Sequence, residues 1–170
     1  MPSTGSCLCG QVIIELDLVP EHQYTCYCVD CKKTSGSAFA TNFLAPKSKI
    51  NITGPVKSYS SPAATGNIVT RYFCSNCGSS VAHDSSLVPD LQALQTGIFP
   101  DFANVKIGHE CEWLSPVMLL SNFGSEEINV LSVFVKNRWP GLGPIAGAEQ
   151  VDAMPGLDFI MRARDLDKTE

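Results

Sequence analysis

The sequence predicts a mostly β domain with many short strands and long loops. Short segments rich in β-branched residues recur along the chain, helical periodicity is weak, and most cysteines fall into three tight clusters. A chain of 170 residues that is 44% hydrophobic and 17% charged fits one globular domain with a modest core. Metal cross-links suit such a domain, because each one removes conformational freedom that a thin core cannot offset. We therefore predict a single metal-binding domain over residues 1–170.

The predicted strands are short runs of β-branched and aromatic residues bounded by turn signals. They span residues 11–18, 38–44, 49–53, 56–60, 67–73 and 128–135. Short helical turns are predicted at residues 89–95, which open with Pro-Asp and are followed by Gly97, and at residues 151–154. The charged tail, residues 162–170, is expected to fray.

Charge and hydropathy narrow the range of partners. The net charge is −5, and Lys32 and Lys33 adjoin without forming part of a larger basic cluster, which disfavours nucleic-acid binding. No apolar run approaches the ~20 residues that cross a bilayer, so no membrane partner is expected. The start of the sequence lacks the pattern of a secretory signal, which predicts a cytoplasmic location. Nothing in the sequence indicates an oligomeric state.

Seven of the eight cysteines are grouped at spacings that suit metal binding. The clusters are Cys7 and Cys9, then Cys26, Cys28 and Cys31, then Cys74 and Cys77. Disulfides are the alternative, but cytosolic thiols stay reduced. The spacing also concentrates sulfurs on single turns, which suits a shared ion better than long-range bridges. Metal binding is therefore the favoured prediction, and zinc is the ion that thiolates most often hold in structural sites.

Ligand counting gives the two predicted sites different roles. Cys74 and Cys77, followed by Gly78, supply two ligands and need two more, which Cys7 and Cys9 can provide. Four thiolates fill a tetrahedral zinc, so that site is structural.

The middle cluster supplies only three sulfurs, from Cys26, Cys28 and Cys31, which leaves one zinc position for water or substrate. The alternative is a fourth protein ligand, for which Cys111, His83 and His109 are the candidates.

The order and spacing of the clusters resemble the glutathione-dependent formaldehyde-activating enzyme family, which includes centromere protein V-like domains. The matching stretches are GSCLCGQV at 5–12, CYCVDCK at 26–32, GSAF at 36–39, ITG at 52–54, RYFCSNCG at 71–78, TGI at 96–98 and FVKNRWP at 134–140. The resemblance is close over residues 5–100 and looser over 128–155.

This resemblance implies a β-tent type fold of several small coiled antiparallel sheets stapled by zinc. It implies two zinc ions per chain, one closed by Cys7, Cys9, Cys74 and Cys77 and one open on Cys26, Cys28 and Cys31. It also implies condensation of glutathione with formaldehyde, which is a carbon-sulfur lyase reaction in reverse. A different carbonyl- or sulfur-bearing small metabolite is the broader alternative for the substrate, because fold and substrate separate easily.

Three further side chains are candidates for substrate binding. Ser37 follows the open cluster and offers a hydroxyl, Phe39 can line a pocket, and Arg138 can pair with a glutathione carboxylate. The alternatives are a turn serine, a core phenylalanine and a solvated surface arginine.

Residues 101–127 look like an insertion relative to shorter family members. Such a loop forms a lid, a pocket wall or an oligomer contact, or is a plain surface excursion. Two other functions stay open at this point. One is a non-catalytic scaffold module of the centromere protein V type, in which both zinc ions only hold the fold. The other is a metal or redox sensor with the middle cluster as its reactive thiols.

Overall fold

The computed structural model describes residues 3–19, 23–63, 66–104, 107–111, 131–132 and 138–144. Eleven strands lie in this part of the chain, together with one short α-helix and three 3₁₀ turns. The strands are β1 (Ser3–Ser6), β2 (Ile13–Leu16), β3 (Gln23–Cys26), β4 (Ala40–Pro46), β5 (Ile50–Thr53), β6 (Val56–Pro62), β7 (Ile68–Cys74), β8 (Ser80–Ser85), β9 (Leu91–Gln95), β10 (Ile107–Cys111) and β11 (Leu131–Ser132). The helix is α1 (Val29–Ser35), and the 3₁₀ turns are Lys47–Lys49, Thr96–Ile98 and Pro100–Asn104.

The strands form two sheets. One has the order β1-β2-β5, and the other has the order β11-β10-β3-β4-β9-β8-β7-β6. All pairings are antiparallel except those of β10 with β3 and with β11, which are parallel. The prediction of a mostly β fold built from antiparallel sheets is confirmed.

The sheets pack together through an apolar core. Alternation along β2 buries Ile14 and Leu16 while Glu15 stays exposed, so one face of the small sheet meets the core. Phe43 of β4 is the centre of the opposing layer. Its ring lies 5.4 Å from Phe99 and 5.0 Å from Phe102 in edge-to-face contacts.

The opposite face of the large sheet carries the middle cysteine cluster, and we call it the cysteine face. Residues that pair across neighbouring strands share a face. Cys26 pairs with Ala40, so Ala40 lies on the cysteine face. Every second residue of β4 after Ala40 lies on the same face. The same face continues through the row of paired residues that joins Leu44, Ala93, His83 and Arg71. Phe43 lies on the other side, in the core.

Five of the six predicted strands lie where β2, β4, β5, β6 and β7 are found. The helical turn predicted at 89–95 is wrong, because Leu91–Gln95 is strand β9, paired between β4 and β8. Four of its five residues are buried, and burial between two strands outweighs the helix preference of Leu, Gln and Ala.

The other predictions lie largely outside the described residues. Of 128–135 only Leu131–Ser132 is described, and of the predicted insertion 101–127 only residues 101–104 and 107–111. The helical turn at 151–154 and the tail at 162–170 lie wholly outside. Among the described elements, no helix is long and apolar enough to cross a membrane.

Candidate metal centres and active site

The first centre is built where the N-terminal strand meets the turn after β7. The sulfurs of Cys7, Cys9, Cys74 and Cys77 all lie within 4.8 Å of one another. The Cys7 and Cys9 sulfurs are 3.4 Å apart, and those of Cys9 and Cys74 are 3.8 Å apart. A disulfide needs ~2 Å, so these contacts are not disulfide bonds. Four thiolates at ~2.3 Å from one tetrahedral ion lie ~3.8 Å from each other, so this group fits zinc.

Backbone and hydroxyl donors hold this centre together. The Val12 N–H donates to the Cys7 sulfur at 3.2 Å. The Ser79 hydroxyl lies 3.2 Å from the Cys77 sulfur and accepts a hydrogen bond from the Leu8 N–H at 3.0 Å. The hydroxyl and backbone of Ser79 lower the pKa of Cys77 to about 5. The Cys77 thiolate is therefore favoured at neutral pH, which is the state a metal ligand needs.

The second centre combines the end of β3 with the start of α1. The sulfurs of Cys26, Cys28 and Cys31 lie within 4.8 Å of one another, and all three residues are buried. Cys28 is the N-cap of α1, and its sulfur accepts a hydrogen bond from the Cys31 N–H at 3.2 Å. Among side chains that the structure describes, no further His, Cys, Asp or Glu joins this group.

Protons are distributed unequally over the three sulfurs. Hydrogen bonds from the sulfurs of Cys26 and Cys31 lower the pKa of Cys28 to about 3. Cys26 and Cys28 together raise the pKa of Cys31 well above its ordinary value. The group therefore keeps a thiolate at Cys28 and gains by binding a cation that replaces the shared protons.

A polar group borders the second centre from the neighbouring strands. Arg71 of β7 donates to the Asp30 carboxylate at 2.7 Å and to the Ser61 hydroxyl at 2.9 Å. Asp30 is in α1 between Cys28 and Cys31, so this ion pair fastens the helix to the sheet.

His83 of β8 pairs with Arg71 in register and faces the same centre. Burial first, and the Arg71 charge second, lower the pKa of His83 to about 4, while the Cys28 thiolate acts in the opposite direction. His83 is therefore a neutral imidazole at physiological pH.

The three predicted substrate-binding residues have different surroundings. Ser37 is exposed, and its N–H donates to the Ser35 hydroxyl at 3.3 Å. Phe39 is half-buried, with its ring 5.6 Å from that of Tyr27, and the Arg138 guanidinium lies 5.5 Å above the same Tyr27 ring. Phe39 and Arg138 therefore share Tyr27 as a neighbour, and Tyr27 lies between Cys26 and Cys28 in the sequence. Substrate binding by Ser37, Phe39 and Arg138 stays a prediction.

The candidates for a fourth ligand lie in different positions. Cys111 and His109 are in β10, where the backbone of Cys111 pairs with Cys26 and that of His109 with Tyr24. Their side chains lie outside the described part of the structure. His83 is not grouped with the three sulfurs.

Sequence reasoning missed two features of this site. It proposed no helix at Val29–Ser35, although Gly36 directly after it is a recognisable signal for a helix end. It also missed Asn42, which lies on the cysteine face and is fully buried. Nothing in the surrounding AFATNFL segment distinguishes that asparagine before the strand pairing is known.

The fold and the two cysteine groups define a class of small β proteins whose sulfurs are arranged to hold metal ions. A sequence profile of the glutathione-dependent formaldehyde-activating enzyme family matches residues 2–113. That range covers more than half of the chain, and the protein belongs to this family. The match includes all three cysteine clusters and Cys111.

Comparison with solved structures finds a Rhodobacter sphaeroides protein determined by structural genomics. It is 21% identical, with a TM-score of 0.49, over 65% of this chain and 99% of that one. No curated protein matches the chain.

Proposed function

We propose that the protein is a zinc-dependent enzyme of carbon-sulfur lyase type that joins a thiol to a carbonyl carbon. Glutathione and formaldehyde are the pair indicated by the family, and another carbonyl- or sulfur-bearing metabolite is the broader form of the proposal. The observation that carries it is the difference between the two centres: four sulfurs gather at one and three at the other, within the side chains that the structure describes.

The second centre is the proposed site of reaction. Zinc held by Cys26, Cys28 and Cys31 would supply a fourth position at which a substrate thiol is kept as a thiolate. The first centre, with its four cysteines, would hold a structural zinc.

A residue near the second centre is assigned to the transfer of the proton of the substrate thiol. In the condensation, the thiol sulfur forms a bond to the carbonyl carbon, and the carbonyl π electrons move to oxygen. The thiol proton must reach that oxygen to give a hydroxymethyl thioether. We assign this transfer to His83, because its imidazole is buried and neutral and it lies on the same face of the sheet as the three cysteines.

Substrate binding is assigned to the group formed by Tyr27, Phe39 and Arg138. Tyr27 and Phe39 offer an aromatic wall, and Arg138 above Tyr27 offers a cation for a glutathione carboxylate. Ser37 would contribute a hydroxyl only if the α1–β4 turn closes on the ligand.

The burial of the three cysteine residues favours a second candidate, a scaffold of the centromere protein V type. Cys26, Cys28 and Cys31 are 1%, 7% and 9% exposed, which suits a zinc that only holds the fold. The acidic balance of the chain weighs against the nucleic-acid partners of a basic scaffold.

Exchange spectroscopy separates the two candidates. We expect the zinc-loaded protein to accelerate interconversion of glutathione, formaldehyde and S-(hydroxymethyl)glutathione in nuclear magnetic resonance spectra, and the Cys28→Ser variant to lose this acceleration. Acceleration of another thiol-carbonyl pair would support the broader form. A folded, zinc-loaded protein that accelerates none of a panel of such pairs would be a scaffold.

A further inference from the structure

The two cysteine groups differ in how far they are open to solvent. In the first group Cys9 is exposed and Cys77 is half-buried, whereas Cys7 and Cys74 are buried. In the second group all three cysteines are buried, at 9% exposed or less. A thiolate reacts with a dissolved oxidant only where the oxidant can reach it. Among the cysteines that the structure describes, the one most open to such a reagent is therefore Cys9, and not a member of the middle cluster.

A tight turn leaves Cys9 exposed while Cys7 is buried. The Gly10 N–H closes the turn by donating to the Cys7 carbonyl oxygen at 2.9 Å. Cys7 belongs to the apolar core, and its sulfur accepts a hydrogen bond from the Val12 N–H at 3.2 Å. Leu8 in the turn is 90% exposed, and apart from chain neighbours nothing lies within 4 Å of where a Cβ on Gly10 would be. A small oxidant can therefore reach the turn without any opening of the fold.

Two other sulfurs lie close enough to that of Cys9 to complete a disulfide. The Cys7 sulfur is 3.4 Å away and the Cys74 sulfur is 3.8 Å away. A disulfide bond is ~2 Å long, so either pair closes with a movement of about 1.5–2 Å. Such a bond would remove two of the four sulfurs that gather at this centre. The two thiolates that remain do not fill the tetrahedral coordination of zinc.

We propose that Cys9 is an oxidation site at which hydrogen peroxide releases the zinc of the first centre. In the first step the Cys9 thiolate attacks a peroxide oxygen: an S–O bond forms, the O–O bond breaks and hydroxide leaves, which gives a sulfenic acid. In the second step the thiolate of Cys7 or Cys74 attacks the Cys9 sulfur: the S–S bond forms, the S–O bond breaks and a second hydroxide leaves. The two thiolates lose two electrons, and the peroxide accepts them. This inference rests on a zinc at the first centre and not on the reaction proposed for the second.

The first test uses the zinc-loaded wild-type protein. Hydrogen peroxide is added in the presence of a chromogenic zinc chelator, and dimedone is included in a parallel sample to label sulfenic acids. We expect release of about one zinc per chain, since the buried second centre keeps its metal. Peptide mapping by mass spectrometry should place the dimedone on Cys9 and, without dimedone, should find a disulfide that includes Cys9. A thiol reductant with added zinc should restore the metal content.

The second test compares two variants of the same centre. Cys9→His replaces the exposed sulfur by another zinc ligand, and Cys77→His makes the same change at the half-buried sulfur and keeps Cys9. We expect Cys9→His to release its zinc to peroxide about tenfold more slowly than the wild type or slower still, because the exposed thiolate is gone. Cys77→His should release zinc at least as fast as the wild type.

The labelling of the wild type decides the matter even where a variant fails to fold. Dimedone found on Cys77 or on the middle cluster before Cys9 would overturn the assignment. Equal rates of zinc release from Cys9→His and Cys77→His would also overturn it, as would a wild-type protein that keeps both zinc ions in a large excess of peroxide.

Discussion

Asp30 and Arg71 are joined by a 2.7 Å ion pair that links the two cysteine groups. Asp30 lies between two cysteines of the second centre, and Arg71 is three residues before Cys74, at the first. The pair holds helix α1 against strand β7. The orientation of the three-sulfur group therefore depends on Arg71, which is not a member of that group.

Asp30→Asn should therefore weaken the second centre selectively. We expect zinc affinity of that centre to fall about tenfold, the lower end of what loss of a supporting partner costs a metal site. Global stability should fall by only ~1 kcal/mol, because the Asp30 side chain is 40% exposed. Competition with a chromogenic chelator measures the affinity. Ser61→Ala is the control, since Ser61 accepts a hydrogen bond from Arg71 and lies in β6 rather than in α1. An equal loss in both variants would contradict the link.

The turn between β5 and β6 depends on Gly54. Its φ is +101°, and a Cβ there would lie 2.0 Å from the Gln11 carbonyl oxygen, next to the first centre. We expect Gly54→Ala to cost ~2–4 kcal/mol, from the left-handed backbone and the clash combined. Gly66→Ala is the control, because Gly66 has φ +83° and open space around the added methyl. It should cost ~1–2 kcal/mol in denaturant unfolding, and equal losses in the two variants would exclude the clash.

His83 makes stability depend on pH in a defined window. Its pKa is about 4 in the folded protein against an ordinary value of 6.5, so the unfolded chain binds more protons between these values. Its contribution is present above pH 6.5 and is lost as the pH falls towards 4. His83→Gln should reduce the slope of unfolding free energy against pH by up to ~1.4 kcal/mol per unit in this window. The cysteines are the same in wild type and variant, so a difference between the two curves reports on His83. Parallel curves of unfolding free energy against pH would contradict the prediction.

Cys111 tests whether the second centre is open. Its backbone pairs with Cys26, which places it beside the three-sulfur group. We expect Cys111→Ser to retain both zinc ions and full activity, as an open centre requires. Loss of one zinc in native mass spectrometry would make Cys111 the fourth ligand.

The sequence predicted the cysteine groups well because metal-ligand spacing is local, and counting ligands joined Cys7 and Cys9 to the distant Cys74 and Cys77. The strands were predicted where β-branched runs dominate. The sheet position of Leu91–Gln95 could not be predicted, because its residues favour helix and only the neighbouring strands decide otherwise. Asn42 was missed for the same reason: its face and burial follow from pairing with β3 and β9.

We propose that one zinc holds the fold and that the other serves the reaction. Native mass spectrometry combined with thermal unfolding of Cys77→Ser and Cys28→Ser tests it most directly. We expect two zinc ions in the wild type. Cys28→Ser should keep one zinc and a Tm within about 5 °C of the wild type, whereas Cys77→Ser should lose the structural zinc and unfold at least about 10 °C lower. One zinc in the wild type, or a Cys28→Ser variant that unfolds as readily as Cys77→Ser, would contradict the claim.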